Sequence, residues 1–265
     1  MQLRLSAKVF AVVLVVILSG CASGPPINHT FTATGQDSRA QFLVLHYTAL
    51  SFESAIEKLT KGEASSHYLV NRDGTIYELV PENRRAWHAG ASSWKGQTQL
   101  NAASIGIEIV NCGFDKFPDG TAVFNGYPGG QIDAVIDLVK WVARRHKIRP
   151  DRILGHNEIS PQQKSDPGPA FPWRRLADEG LITWPDERLV AEKQAEYEGA
   201  VPDVAWFQQK LAMYGFEVPS TGTLDPKTRR VISVFQMKYR PTLWSGDLDA
   251  ETAAILDVIT SLPSK

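Results

Sequence analysis

The chain of 265 residues carries 28 Lys and Arg against 29 Asp and Glu, with 43% hydrophobic and 22% charged residues. This composition fits one large or two unequal globular domains and excludes disordered and collagen-like classes. A formal net charge of −1 argues against affinity built on neutralising many phosphates, so no nucleic-acid partner is expected.

Arg4 and Lys8 open the chain, and Val9 to Leu18 is an uninterrupted apolar run. Ten residues are too few for a membrane-spanning helix, which needs about 20. The run ends at Leu18-Ser19-Gly20-Cys21, which resembles a bacterial lipobox. That resemblance implies that residues 1–20 are a removable signal and that Cys21 is acylated. Ala22 in place of Asp implies retention at the outer membrane, facing the periplasm. Removal of the signal leaves 26 basic and 29 acidic residues, and acylation of Cys21 leaves Cys112 without an intrachain disulfide partner. Residues 21–36, rich in Gly, Pro, Ser, Thr and Asn, read as a tether.

Phe42 to Tyr47 is nearly continuously apolar, the pattern of a strand covered on both faces. Phe52 to Leu59 is a helix candidate. His67 to Val70 and Thr75 to Val80 read as two strands around an Asp73-Gly74 turn. Ser104 to Asn111 alternates, with Ile105, Ile107 and Ile109 on one face and Gly106, Glu108 and Val110 on the other. Ile132, Val135, Ile136, Val139 and Val142 recur at helical spacing through to Lys147, ahead of the strand-like Arg152-Ile153-Leu154. An α/β fold with a mixed central β-sheet flanked by helices is therefore predicted over 37–186.

Residues 187–200 turn polar and charged and read as a helical linker. Beyond them, Gly222-Thr223-Leu224-Asp225-Pro226-Lys227-Thr228 is echoed 24 residues later by Gly246-Asp247-Leu248-Asp249-Ala250-Glu251-Thr252. The pair Phe207-Gln208 also recurs, as Phe235-Gln236. Each Asp suits an N-cap, and Pro226 suits a first helical position. A small three-helix domain is predicted over 201–262. It resembles the peptidoglycan-binding domain 1 family, whose repeat carries the same G-x-L-D-x-x-T and F-Q elements.

The sequence holds no H-E-x-x-H, no glycine-rich phosphate loop and no C-x-x-C. Ser92-Ser93-Trp94-Lys95 matches S-x-x-K without the partners of a serine acyl enzyme. What remains is a dispersed set. His46 and His156 each stand at a strand exit, where a histidine is either a hydrogen-bonded residue of the fold or a ligand. Catalytic zinc sites use three protein ligands and leave a fourth position open. Asp166, in the proline-stiffened loop 160–169, is either the aspartate of a simple Asp-Pro-Gly turn or the third ligand. Its extended setting before Pro167 sends Lys164 and Asp166 the same way. Glu108 is either exposed on an edge strand or a working carboxylate in a central one, where unpaired burial costs several kcal/mol. Gly106 leaves room beside it for another group.

The motifs Phe42-Leu43-Val44-Leu45-His46-Tyr47-Thr48, Ser66-His67-Tyr68-Leu69-Val70 with Asp73-Gly74-Thr75-Ile76, Ala86-Trp87-His88-Ala89-Gly90, Asn101 with Ser104-Ile105-Gly106-Ile107-Glu108-Ile109, and Gly155-His156 with Lys164-Ser165-Asp166-Pro167-Gly168-Pro169 together resemble the type 2 N-acetylmuramoyl-L-alanine amidases. That family shares its fold with peptidoglycan-recognition proteins. The resemblance implies Zn2+ held by His46, His156 and Asp166, a catalytic pair Glu108 and Lys164, and muropeptide or peptidoglycan as substrate. Trp87, His88, Trp94 and Asn101 are weaker candidates for substrate contact, and a monomer is expected. Two rivals remain, a non-catalytic peptidoglycan receptor and a zinc peptidase of the stem peptide.

Overall fold

The strand Phe42–Tyr47, β1, is apolar on both faces because both are covered: Leu43 and Leu45 enter one core layer, Phe42 and Val44 the other. The structure, a computed structural model, describes residues 24–119 and 121–262. The signal segment and Cys21 lie outside the described residues. Residues 24–36 form no helix or strand, and no helix among the described residues is long and apolar enough to cross a membrane.

In chain order, β1 is followed by α1 (Phe52–Lys61), β2 (Tyr68–Val70), β3 (Ile76–Glu78), β4 (Ser93–Trp94), β5 (Gln97–Thr98), β6 (Ser104–Ile109), β7 (Phe114–Lys116), β8 (Ala122–Phe124), α2 (Gly129–His146) and β9 (Ile153–Gly155). Then come α3 (His156–Ile159), α4 (Trp173–Asp178), α5 (Glu187–Glu198), α6 (Val204–Tyr214), α7 (Pro226–Tyr239) and α8 (Ala250–Thr260). The central sheet has the order β3-β2-β6-β1-β9. All pairings are parallel except β2 with β3, so the sheet is mixed, as its alternating strand and helix patterns predict. The Asp-Gly hairpin is present with shorter strands than expected, and Gly74 supplies the positive φ of 88° that the turn requires.

Ile105, Ile107 and Ile109 of β6 pack on one side with Ile132, Val135 and Val139 of α2. On the other side of the sheet, Phe42, Val44 and Leu154 share a core with Phe207, Leu211, Phe235 and Leu256 of the C-terminal helices. The C-terminal repeat thus covers the second face of the sheet. Its doubled motif has a local reason. Gln208 accepts from the Gly222 N–H (2.8 Å) and donates to the Thr228 hydroxyl (2.8 Å), while Asp225 caps α7 through the Thr228 N–H (2.8 Å). Gln236, Gly246, Thr252 and Asp249 repeat this closure at α8. The charged segment after Asp186, read from the sequence as a helical linker, forms α5 and lies on α8, with the Tyr197 hydroxyl donating to Asp257 (2.9 Å).

Trp94, one of the weaker candidates for substrate contact, is 0% exposed, edge-on to Tyr214 and Phe216 in this shared core. We expect Trp94→Ala to cost about 3–5 kcal/mol of stability and calorimetry to show one transition at lower temperature. Two resolved transitions, only one of them shifted, would contradict a common core.

Candidate metal centre

Parallel strands bring their carboxyl ends to one edge, where open α/β sheets form their crevices. His46 near the end of β1 and Glu108 near the end of β6 are register partners, and His156 follows the last residue of β9. Period-two alternation places His46 on the face of Val44, and Glu108 on the face of Gly106. Asp166 arrives on the loop after α3, pinned where the Asn157 N–H donates to its carbonyl (2.9 Å).

Nδ1 of His46 lies 2.9 Å from Nδ1 of His156, and Asp166 Oδ2 is 3.1 Å and 3.0 Å from the two. All three residues are buried. Donor atoms about 2.0–2.1 Å from a tetrahedral centre are about 3.3 Å apart, so this triangle has the dimensions of one face of such a site.

The hydrogen-bond partners fix which nitrogens carry protons. His156 Nε2 faces the Ala89 carbonyl (3.3 Å), which can only accept, so the proton is on Nε2 and Nδ1 keeps its lone pair. For His46 the assignment runs through three groups. The Ser104 hydroxyl donates to the Leu100 carbonyl (2.6 Å), so its oxygen accepts from His88 Nε2–H (3.1 Å). His88 Nδ1 then accepts from His46 Nε2–H (3.0 Å), and His46 Nδ1 is left unprotonated. Two lone pairs and a carboxylate oxygen therefore face one point with no proton among them. Such a centre is uncompensated until a cation neutralises it, and the N/O donor set suits a divalent transition metal.

Burial pushes the His46 ring down to about 4, helped by the neighbouring His156 and opposed by Asp166, so it is neutral at neutral pH. Burial raises the Asp166 carboxyl, but His156 and His46 outweigh it and hold the group below the usual carboxylate range. Burial drives Glu108 well above its ordinary value, with the Asp166 charge adding and Lys164 and Lys58 opposing. β6 lies between β2 and β1, so Glu108 stands in a central strand, and its Oε2 is buried without a partner.

His46, His156 and Asp166 thus meet, and Glu108 and Lys164 line the same cleft of about 440 Å3. Trp87, 55% exposed, and His88 also border it. Asn101 does not: its Oδ1 accepts from the N–H groups of His88 (3.0 Å) and Ala89 (2.8 Å), because a side-chain acceptor is needed to hold the loop that presents His88. Asn101 is therefore a brace, and Trp94 a core residue, where contact with substrate was expected. The space beside Gly106 is taken by the His88 ring, since a Cβ there would lie 2.5 Å from its Cγ. Sequence reasoning missed the Ser104 and His88 relay. Its only trace was Gly106 in an otherwise bulky strand.

Residues 36–169 match the N-acetylmuramoyl-L-alanine amidase family model, and residues 200–256 match a peptidoglycan binding domain. The chain belongs to the N-acetylmuramoyl-L-alanine amidase family. The amidase is 41% identical to N-acetylmuramoyl-L-alanine amidase AmiD of Escherichia coli over 92% of this chain and 94% of that protein. The solved complex of AmiD with anhydro-N-acetylmuramic acid-L-Ala-D-gamma-Glu-L-Lys superposes with a TM-score of 0.81, covering 88% of this chain and 93% of that one. AmpDh3 of Pseudomonas aeruginosa in complex with anhydromuramic pentapeptide also gives 0.81, at 37% identity over 89% of this chain and 97% of that one.

Gly106→Ala would drive a methyl group into the His88 ring, and we expect metal affinity to fall about 10- to 100-fold at unchanged secondary structure. Competition with a chromophoric chelator reads this, and wild-type affinity would refute the relay. His67, whose Nδ1 accepts from the Gly106 N–H, is lowered by burial to about 4 against the opposing Arg84 carbonyl. An unfolded histidine protonates near 6.5. The unfolded state therefore binds the extra proton between those values, and stability falls as pH falls from about 6.5 to about 4. Denaturant titration of metal-free protein across that window should give a shallower slope for His67→Gln, and an equal slope would count against this assignment.

Proposed function

We propose that the protein is a zinc-dependent amidase that hydrolyses the bond between the lactyl group of N-acetylmuramic acid and L-alanine in peptidoglycan or its fragments. One observation carries the reading: His46, His156 and Asp166 form a ligand triangle on a cleft that Glu108, whose Oε2 is buried without a partner, also lines. In this reading the three residues hold the ion. A bound zinc ion supplies Lewis acidity, which activates water at neutral pH and polarises a carbonyl oxygen. Glu108 accepts the proton of the attacking water and delivers it to the departing L-alanine nitrogen, the general base becoming the general acid. Its upward-shifted carboxyl suits holding that proton between the two transfers. The Lys164 ammonium donates to the carbonyl oxygen as negative charge develops there, a kind of stabilisation worth about 3–4 kcal/mol in other hydrolases.

The organisation proposed around this centre is a signal over 1–20, a tether over 21–36 attached to the outer membrane through acylated Cys21, a catalytic region over 37–186, a connection over 187–200 and a peptidoglycan-binding repeat over 201–262. Multiple acyl chains anchor stably where one does so only marginally, which suits an enzyme working at the periplasmic face as a monomer. Muropeptide substrates of the kind named for AmiD and AmpDh3 fit the proposal.

Digestion of anhydro-N-acetylmuramic acid-L-Ala-D-gamma-Glu-L-Lys, followed by mass spectrometry, tests it. Wild type should release a free peptide beginning with L-alanine, a chelator should abolish this, and zinc should restore it. Glu108→Gln should lose about 10²- to 10⁴-fold in rate while still binding metal. Products that keep L-alanine on the muramic acid would identify a stem peptidase, and absence of turnover with metal bound would identify a receptor.

A further inference from the structure

Helix α7 belongs to the C-terminal repeat, yet one side of it stands directly behind the loop that carries Lys164 and Asp166. Arg230 Nε donates to the Pro161 carbonyl (2.9 Å), and its Nη2 donates to the Lys164 carbonyl (2.6 Å) and to the Ser165 hydroxyl (3.0 Å). Nearly one turn earlier, the Lys227 carbonyl accepts from the Gln162 side-chain amide (3.1 Å). Two turns later, Lys238 Nζ donates to both carboxylate oxygens of Glu158 (3.0 Å and 2.9 Å), on the short helix that begins with His156. Glu158 in turn accepts from the Gly155 N–H (2.8 Å), so α7 grips the chain on both sides of His156. Residues 227, 230 and 238 share one side of the helix by their spacing.

The loop has few other restraints. The Lys164 N–H donates to the Ser160 carbonyl (3.0 Å), and the Asn157 N–H holds the Asp166 carbonyl (2.9 Å). Between those two points the Arg230 guanidinium holds the Lys164 carbonyl and the Ser165 hydroxyl, and the one further side-chain hydrogen bond among the described residues is the longer one from the Asn157 amide to the Ser165 carbonyl (3.4 Å). A planar fork with five donors holds its N–H groups in one fixed geometry toward these three acceptors, which an ammonium on a flexible stem does not.

We propose that Arg230 is a positioning residue for Lys164 and Asp166, so that the C-terminal repeat completes the amidase centre in addition to any contact it makes with polymer. The proposal rests on the amidase reading of this centre. It separates from simple polymer anchoring because a small soluble substrate gains nothing from anchoring.

The test uses the full chain, anhydro-N-acetylmuramic acid-L-Ala-D-gamma-Glu-L-Lys as substrate, and chelator competition for the metal. Arg230→Ala should lower kcat about tenfold or more with KM within about twofold, and should weaken metal binding by a comparable factor. Arg230→Lys should recover only part of both, and added N-ethylguanidine should restore kcat to Arg230→Ala. Should Arg230→Ala fail to fold, Arg230→Lys carries the same two readouts. Wild-type kcat and metal affinity in the variants, or a rise in KM alone, would overturn the proposal. Failure of the wild type on this substrate would refute the amidase reading separately, and the metal affinity of the variants would still decide whether Arg230 positions Asp166.

Discussion

Three acceptor atoms from three distant parts of the chain are held about 3 Å apart in a buried pocket, and the rest of the site exists to keep them there. Left alone they would repel a common proton-free arrangement, because each lone pair faces another. The fold prevents relaxation by engaging the far side of each ring. The Ala89 carbonyl takes the outer proton of His156, and the His88 and Ser104 chain takes that of His46. Outer-shell partners of this kind orient ligand rings and select their tautomers. The centre is therefore preorganised by hydrogen bonds whose cost is met in folding, before any ion arrives.

The second constraint is that catalytic sheet and C-terminal repeat share a core. Lys238 and Glu158 are both buried, and burying an ion pair is weak support for stability because desolvation offsets attraction. Its role here is geometric. Glu158 is fully hydrogen-bonded by Lys238, Gly155 and the Tyr214 hydroxyl (3.2 Å), which specifies one docking arrangement between α3 and α7. Lys238 also lies 4.4 Å from the centre of the Trp173 ring, so the cation is enclosed by the same contacts that seat the repeat.

Much of this was legible in the sequence, for identifiable reasons. β1 and β6 were readable because a continuous apolar run and a strict alternation each admit few structures, and Glu108 stood out as a carboxylate among isoleucines. The Asp-Pro-Gly loop was readable as stiff. Trp94 was not assignable, because an indole beside a short hairpin serves a groove or a core equally well until Phe216 and Tyr214 are seen to enclose it. Asn101 carried no pattern at all, since acceptors for loop N–H groups have no periodicity. Arg230 was hidden for a related reason: its partners are mostly carbonyl oxygens, and main-chain acceptors leave no mark on residue type. The charge pattern of α5 marked a helical linker and left no sign of its docking, for which Tyr197 and Val190 supply the apolar surface.

The centre works only with one ion bound at one point. Anomalous diffraction recorded above and below the zinc edge, from crystals grown with zinc, tests this most directly. The account predicts a single strong peak within about 2.0–2.2 Å of His46 Nδ1, His156 Nδ1 and an Asp166 carboxylate oxygen. A map with no peak there, or with density bound through Nε2 of either histidine, would contradict it.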